Sequence, residues 1–577
     1  MIRRLFLGFP ALLLLLSLLP GLSFAATAPN IILVTLDSTR ADRMGFLGSK
    51  RPTPSLDALA KQSIVFERVY AQSPLTVASH ATILTGTYPQ TNQIGEFGSP
   101  LASSLPYLPD LLRGKGYHTA AFVGEIALDP KNGLAPGFDR GFNIYDAGFH
   151  QPLRGEGSSQ SVERRGDQVV ARAVAWLARG PKAPFFLWVE LYDSHAASGA
   201  AYDRAVAATD TAVGKLLAAL RARKLYDDAV IVVTADHGES LGAHGEDTHG
   251  IFLYDDTIRV PLLLKLPQNQ MAAKHVPGKV RLLDIAPSLL ELAGVAVPSA
   301  MQGQSLLRIA KTNPNADQPV YSRTDFPQRA FGWSGLQSWR AGKYLYIRAP
   351  KPELYDFNAD PGATKNLAQT SKATLDTMAA QLDGFDQHFR AGKSAGPELT
   401  SSEMQKLASL GYVGLQKSGG ATTAATGTDP KDTIATANQV QAAMSAIESG
   451  APEKAIASLQ PLIAAQPGMY LAQYALGVAY ARQQQYGKAV EALHKAVALQ
   501  PDSAWANYEM GAALLKTGDF KTAVVHLEIA TNRLPECRDA HSLLAQAYEH
   551  VGRSEDAKRE RDKAGPIAPS RSGPAKK

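Results

Sequence analysis

The chain has 577 residues, of which 45% are hydrophobic and 19% are charged, so it is long enough for two or three globular domains. Its formal net charge is only +6, and basic residues form a run only in the extreme tail, which argues against a nucleic-acid-binding protein. The single cysteine, Cys537, excludes an internal disulfide.

The N-terminus has the pattern of a secretory signal. Arg3 and Arg4 precede an apolar run from Leu5 to Leu19, and small residues stand at the −3 and −1 positions before a cleavage site after Ala25. Residues 1–25 are therefore predicted to be a signal peptide, and the mature protein to be periplasmic or secreted. An uncleaved anchor is the alternative, although the run is short for a bilayer, and no later segment reads as a transmembrane helix.

Two apolar runs of strand length each end abruptly in a carboxylate. The first, residues 30–36, is followed by Asp37, and the second, residues 229–235, is followed by Asp236 and His237. Runs that are apolar on both faces are typical of buried parallel strands, and ligands bind beyond the carboxyl ends of such strands. The pattern predicts that the three polar side chains hold one metal. The alternative is that each aspartate caps a helix after an ordinary turn.

A third segment, residues 73–89, predicts a helix from Val77 to Thr85 that Gly86 closes. Thr76 would then lie at the helix N-terminus, where free N–H groups and the helix dipole favour an alkoxide and an anionic substrate. The alternative is that Thr76 is only the helix N-cap.

Together these residues resemble the metal and nucleophile cluster of the sulfatase family, within the alkaline phosphatase superfamily. The resemblance covers residues 29–414, and further matching segments are residues 84–89, 116–124, 184–195, 253–267, 281–295 and 353–368. A short helix and turn at 401–414 also match. The resemblance implies an α/β sandwich with a mostly parallel central sheet, helices on both faces and a smaller C-terminal sheet around Tyr344 to Phe357.

The chain departs from the family at several positions. Thr76 stands where sulfatases carry the Cys or Ser that becomes formylglycine, with Ala78 and His80 at the usual Pro and Arg. Threonine cannot form formylglycine because its β-carbon carries a methyl group. Thr is the nucleophile in phosphodiesterase and phosphoethanolamine-transferase relatives, so the site looks closer to theirs. Ser38 replaces one carboxylate, and a family His and Asn correspond to Asn92 and Phe97.

The predicted metal ligands are Asp37, Thr76, Asp236 and His237. With two carboxylates, one imidazole and one hydroxyl, zinc or manganese is favoured over calcium, which remains the alternative. A second metal would draw on Asp193, His195, His244 and His249. Besides Thr76 as nucleophile, the predicted catalytic contacts to the substrate oxyanion are His195, His249, His80 and Arg40.

The last third of the chain is a repeat. Pro467, Pro501, Pro535 and Pro569 are spaced by 34 residues, with small and aromatic residues in register. This period predicts tetratricopeptide repeats at residues 434–566, an all-α superhelix whose degenerate first repeat is a cap and whose concave groove binds a protein or peptide partner. A flexible linker is predicted at 415–430 and a disordered tail at 567–577. The linker leads us to expect that deleting the repeats leaves hydrolysis of small esters nearly unchanged.

The combined interpretation is a secreted metal-dependent hydrolase of sulfate or phosphate esters, with Thr76 favouring phosphoester or phosphonate ester chemistry. Three alternatives stay open. The chain could be a sulfatase that acts without formylglycine, a phosphoryl transferase that uses the same threonine, or a catalytically inactive scaffold. The substrate would be a small or polymeric ester.

Overall fold

The computed structural model describes residues 28–95, 99–132, 135–147, 164–195, 199–389, 427–535 and 537–565. The predicted signal peptide, the short helix and turn at 401–414, most of the linker and the tail lie outside these residues. Within the described ranges, no helix combines the length and the apolar character that a membrane crossing needs.

The first part of the chain is built on an eight-stranded sheet with the strand order β4-β3-β5-β1-β6-β7-β2-β8. Only β7 runs antiparallel to its neighbours. The strands are β1 (Ile31–Leu36), β2 (Ile64–Tyr70), β3 (His118–Phe122), β4 (Ile144–Asp146), β5 (Phe185–Leu191), β6 (Val230–Ala235), β7 (Arg259–Lys265) and β8 (Lys274–Arg281). The mostly parallel central sheet predicted from the sequence is confirmed.

The three central strands share a register that aligns their carboxyl ends. All residues of β1, β5 and β6 are buried, as their apolar character on both faces requires. Leu36, the last residue of β1, pairs with Leu191 on one side and with Ala235 on the other. The strands therefore end level, and the residues after β1 and β6 emerge side by side.

Helices cover the sheet in two groups. Contacts join α1, α5 and α6 in one group, and α2, α4 and α8 in the other. The helices of this part are α1 (Pro54–Ala60), α2 (Thr76–Thr85), α3 (Pro89–Asn92), α4 (Leu108–Gly114), α5 (Gly166–Ala178), α6 (Gly199–Ala222), α7 (Asp255–Ile258), α8 (Ile285–Leu292), α9 (Leu306–Thr312), α10 (Phe326–Phe331) and α11 (Lys372–Phe389). Helix α2 ends where Gly86 adopts a left-handed conformation with φ 64°, as its sequence predicts.

A second, antiparallel sheet has the order β12-β11-β10-β9. Its strands are β9 (Val320–Thr324), β10 (Leu336–Ala341), β11 (Tyr344–Arg348) and β12 (Glu353–Asp356). The predicted small sheet around Tyr344 to Phe357 was too narrow, because it includes only β11 and β12. The first two strands mix apolar with polar and charged residues, such as the buried Arg340, so their sequence lacks a clear apolar run.

The described repeat region is entirely helical, which confirms the predicted all-α array. Its eight helices pack as four consecutive pairs: α12 (Pro430–Glu448), α13 (Pro452–Ala465), α14 (Tyr470–Arg482), α15 (Tyr486–Leu499), α16 (Ala504–Thr517), α17 (Phe520–Arg533), α18 (Arg538–His550) and α19 (Ser554–Ala564). The 34-residue period has a steric origin. A Cβ atom at Gly477 would lie 2.5 Å from Leu493, and one at Gly511 would lie 2.5 Å from Leu527.

The boundary between the two parts differs from the prediction. The first repeat helix begins at Pro430 rather than near residue 434, because the Asp429 side chain accepts from the Lys431 N–H and Pro430 takes the first helical position. The end of the predicted flexible linker is also fixed to the first part. Thr428 accepts a hydrogen bond from the Ser334 N–H, and Asp429 accepts one from the Lys351 N–H.

Candidate metal centre

Asp37, Asp236 and His237 meet at the carboxyl ends of β1 and β6. All three side chains are fully buried, and their potential ligand atoms lie within 4.8 Å of one another. The His237 Nε2 atom is 3.6 Å from the Asp37 carboxylate and 3.4 Å from that of Asp236. The level ends of the two strands produce this convergence.

The hydrogen bonds around these residues leave ligand atoms free. Asp37 Oδ1 accepts from the Ser38 hydroxyl, and Asp236 Oδ1 accepts from the Ser38 and His237 N–H groups. The second oxygen of each carboxylate, although buried, has no hydrogen-bond partner. A buried carboxylate oxygen without a donor is costly, and a cation bound between the two would offset that cost.

The tautomer of His237 also fits a metal ligand. Its Nδ1 atom lies 2.8 Å from the Gly238 carbonyl, to which it donates its proton. The neutral ring therefore presents the Nε2 lone pair towards the two carboxylates, and a carbonyl partner on the other nitrogen is typical of histidine ligands. Two carboxylates and one imidazole suit zinc or manganese, so the donor set fits a divalent cation.

Thr76 stands beside this centre. It is the first residue of α2, and its Oγ1 atom lies 3.2 Å from His237 Nε2. The N-cap position belongs to Leu75, and no side chain caps the helix. The alternative interpretation, in which Thr76 serves only as the N-cap, therefore does not apply. Its hydroxyl faces the ligand set and the positive end of the α2 dipole.

His195 and His249 lie on the accessible side of the centre. The Nδ1 atom of His195 is 3.3 Å from the Ser38 hydroxyl and 3.6 Å from the Asp37 carboxylate. The His249 ring centre lies 4.3 Å from that of His237 and 5.1 Å from that of His195, and its Nδ1 atom is 3.1 Å from Glu239. These two side chains are 24% and 13% exposed, whereas the three proposed ligands are not exposed at all. A substrate would therefore meet these histidines first.

Burial and neighbouring charges shift the pKa values of the two carboxylates in opposite directions. Burial acts to raise the pKa of Asp37, but the charge and hydrogen bond of His195, together with the other two histidines, outweigh burial and hold that pKa well below its usual range. Burial also acts to lower the pKa of His195, yet Asp37 raises it to about 10. For Asp236, burial and the Asp37 charge both raise the pKa well above its usual range. Burial lowers the pKa of His237 to about 3, so the ring is neutral and ready to bind a cation.

Two side chains predicted to contact the oxyanion, His80 and Arg40, are engaged by interactions within the fold instead. His80 is fully buried below Thr76, with one ring nitrogen 2.8 Å from the Thr76 carbonyl and the other 3.0 Å from the Thr35 hydroxyl. Both ring nitrogens are therefore occupied. Arg40 directs its guanidinium to Asp42, Asp256 and the carbonyl groups of residues 239 and 240. Neither side chain has a donor left for a substrate, because interactions within the fold already use them.

The proposed second metal site is not assembled. Asp193 accepts from the Gly166 N–H, and His244 stacks on Tyr254 with ring centres 3.6 Å apart. Within the described parts of the chain, Asp37, Asp236 and His237 form the only group of three or more His, Cys, Asp or Glu side chains whose ligand atoms lie close enough together to share a metal ion.

Other buried residues support the centre and were not identified from the sequence. Glu239 orients His249, Ser79 donates to the Asp236 carbonyl at 2.6 Å, and Glu190 lies one strand away on β5. Burial and nearby carboxylates raise the pKa of Glu190 well above its usual range. The sequence does contain a signal for Glu190, because it is the one acidic residue in the seven-residue run that forms the buried strand β5. Asn92, one of the positions at which the chain departs from the family, stabilises a turn, since its side chain accepts a hydrogen bond from the Ile94 N–H. Phe97, another such position, lies outside the described residues.

Family models match both parts of the chain. Residues 29–295 match the Sulfatase family model, and residues 245–387 match that of the N-sulphoglucosamine sulphohydrolase C-terminal region. Two Tetratricopeptide repeat models match residues 440–504 and 481–547.

Among curated relatives, the chain is 27% identical to an ulvan-active sulfatase of Formosa agariphila, over 62% of this chain and 80% of that one. It is 25% identical to human N-acetylgalactosamine-6-sulfatase, over 66% and 89% of the two chains. Among solved structures, the phosphonate monoester hydrolase of Agrobacterium radiobacter matches with a TM-score of 0.52 and 20% identity, over 63% of this chain and 96% of that one. This last likeness concerns the fold.

Proposed function

The chain is a hydrolase of the sulfatase superfamily that carries tetratricopeptide repeats, and from this premise we propose that it is metal-dependent and uses Thr76 as its nucleophile. The observation that carries the proposal is the position of the Thr76 hydroxyl, 3.2 Å from His237 Nε2 and beside two buried carboxylates with free oxygens. Phosphoesters and phosphonate esters are the proposed substrates.

The proposed ligands of the metal are Asp37, Asp236 and His237, joined by the Thr76 oxygen. A divalent cation bound there would lower the pKa of the threonine hydroxyl and stabilise negative charge on the ester oxygens. Zinc or manganese suits this donor set better than calcium, which prefers six to eight oxygen ligands.

The residues of the chain can carry out the remaining steps. The Thr76 oxygen attacks phosphorus, the alcohol leaves with a proton, and water then releases phosphate or phosphonate from the threonine ester. His195, protonated because Asp37 raises its pKa to about 10, offers positive charge to the reacting group. Glu239 accepts from His249 Nδ1, which leaves Nε2 to hold or move the proton of the leaving alcohol.

The choice of phosphorus over sulfur rests on the nucleophile. Formylglycine cannot form at Thr76, so the covalent intermediate of this chain would be an ordinary threonine ester. Cleavage of sulfate esters by the same threonine is the second candidate, and the curated relatives named as sulfatases favour it.

The proposal is tested with Thr76→Val, which removes the hydroxyl and keeps the shape of the side chain. The variant should bind metal as the natural protein does and lose turnover by about a thousandfold or more, as nucleophile removal does in other hydrolases. Thr76→Ser is the matched control and should keep measurable activity. Both are assayed on phosphomonoesters, phosphodiesters, phosphonate esters and sulfate esters. A Thr76→Val protein with natural turnover would contradict the proposed nucleophile, and activity on sulfate esters alone would favour the second candidate.

Localisation and partners form part of the same proposal. Residues 1–25 have the charge and small-residue pattern of a signal peptide, which supports a periplasmic or secreted enzyme. The repeats are proposed to bind a protein or peptide. Sequencing the N-terminus of the exported protein tests the first point, since a mature chain that still begins at Met1 would contradict cleavage.

A further inference from the structure

The repeat array is docked against the segment that carries His249, residues 239–250, which we name the His249 loop. Asn438 on α12 donates from Nδ2 to the Gly245 carbonyl at 2.8 Å and accepts from the Asp247 N–H at 3.2 Å. Ile434, one turn earlier, lies against Gly245. We infer that the array completes the hydrolase site, and that Asn438 is a positioning residue that acts through the His249 loop.

The His249 loop needs such support because its backbone is strained. Leu241 and His244 both have positive φ, at 55° and 53°, and neither is glycine. Non-glycine residues in this region persist only where the surroundings hold them. The tip of the loop, where Asn438 binds, is the part with the unfavourable backbone.

A second contact from α12 supports the same tip. Lys431 lies 2.8 Å from the buried Glu353 carboxylate, which also accepts from the Tyr254 hydroxyl at 2.6 Å. Tyr254 in turn stacks on His244 with ring centres 3.6 Å apart. One helix of the array therefore holds the tip from two directions, directly through Asn438 and through Glu353 and Tyr254.

The tip is linked rigidly to the catalytic end of the loop. The Ser240 N–H donates to the Thr248 carbonyl at 2.8 Å, and the Gly242 N–H donates to the Glu246 carbonyl at 2.8 Å. These bonds tie the two arms of the loop together next to His249. A displacement of the tip would therefore move His249 relative to His195 and His237, and small displacements of catalytic groups reduce turnover strongly.

The second repeat pair extends the docking surface. Helix α14 packs against α10, and the Gln500 side chain donates to the Arg329 carbonyl. At the start of α10, the Phe326 ring lies close to Gly250. From this arrangement we expect the repeats to be needed for the hydrolysis of small esters, in contrast to the expectation from the sequence.

The test is Asn438→Ala in the full chain, with Gln441→Ala as the matched control. Gln441 is exposed on the same helix, one turn further on. Alanine is a better helix former than asparagine, so α12 is retained in both variants. Asn438→Ala should lower kcat by about tenfold and leave KM and bound metal unchanged, because two hydrogen bonds to the loop are lost. Gln441→Ala should keep the natural kcat.

A graded variant separates positioning from general destabilisation. Asn438→Asp can still accept from the Asp247 N–H but cannot donate to the Gly245 carbonyl, so its kcat should fall between the natural value and that of Asn438→Ala. Natural kcat in Asn438→Ala, or an equal loss in Gln441→Ala, would overturn the inference.

The inference rests on the proposed function for its kinetic readout, so hydrogen exchange provides a second one. Amide exchange across residues 239–250 should be faster in Asn438→Ala than in the natural protein, and unchanged in Gln441→Ala. If no ester is hydrolysed but exchange accelerates in this segment alone, the proposed function fails and the docking stands. Unchanged exchange in the His249 loop would overturn the docking role itself.

Discussion

The hydrolase domain buries carboxylate oxygens that have no hydrogen-bond partner, whereas buried histidines of the repeat array are paired with other side chains. Among the described residues, every buried carboxylate oxygen without a partner belongs to the hydrolase domain, including those of Asp37, Asp236 and Glu190. In the array, His526 bonds the Asn507 side chain at 2.9 Å, and His541 pairs with Glu560. The unpartnered carboxylate oxygens of Asp37 and Asp236 lie where the hydrolase domain is proposed to bind a metal, whereas the paired histidines stabilise the packing of the repeat helices.

The strongest way to break this comparison is Asp236→Asn. The change should abolish metal binding and lower turnover by about a thousandfold or more, since it removes a proposed ligand and its charge. It should not lower the melting temperature of the metal-free protein, because the asparagine keeps the oxygen that accepts from Ser38 and His237 and removes only the buried oxygen that has no partner. Metal analysis, kinetics and thermal unfolding in chelator measure these effects. Loss of metal-free stability would show that Asp236 serves the fold.

In the repeat array, by contrast, a substitution should reduce stability and leave metal binding unchanged. Gly477→Ala places a Cβ atom 2.5 Å from Leu493, so it should lower the free energy of unfolding of the array by about 1–3 kcal/mol while bound metal stays unchanged. Gly487→Ala, which meets nothing within 4 Å, is the control and should not destabilise the array. Denaturant unfolding followed by circular dichroism provides the measurement. Equal stability of the two variants would contradict close helix packing at Gly477.

The smallest expected effect is the pH dependence of metal affinity. Burial and the Asp37 charge raise the pKa of Asp236 well above its usual range, so a proton competes with the metal. Metal affinity should therefore fall as pH falls, by about tenfold per pH unit below that pKa, and binding should release about one proton. Calorimetry in buffers of different ionisation enthalpy counts the protons. An affinity that is independent of pH would mean that Asp236 is already ionised or is not a ligand.

The sequence could predict features that depend on local pattern. Asp37, Asp236 and His237 each follow an apolar strand, and Thr76 precedes a helix closed by glycine, so strand ends and helix starts indicated where these residues would meet. The 34-residue period likewise indicated the repeats. Gly477 and Gly511 are one period apart, and each allows close packing between the two helices of its repeat.

Features that depend on distant contacts could not be predicted in this way. Asn438 and Gly245 are separated by 193 residues, and a single asparagine on a helix has no periodic signature. The placement of His80 was wrong for a related reason, because its sequence position does not reveal that Thr35 and the Thr76 carbonyl occupy both ring nitrogens. The extent of the small sheet was underestimated because β9 and β10 contain buried polar and charged residues, such as Arg340, in place of a clear apolar run.

The level ends of β1 and β6 have a consequence for metal exchange. These strands lie in the middle of the sheet, where amides open only with much of the domain, so local fraying gives a bound ion no route out. The accessible route runs past His195 and His249. Exchange of a bound ion would therefore have to pass these two histidines, so a substitution at His195 or His249 should change the rate of metal exchange while the sheet itself stays closed.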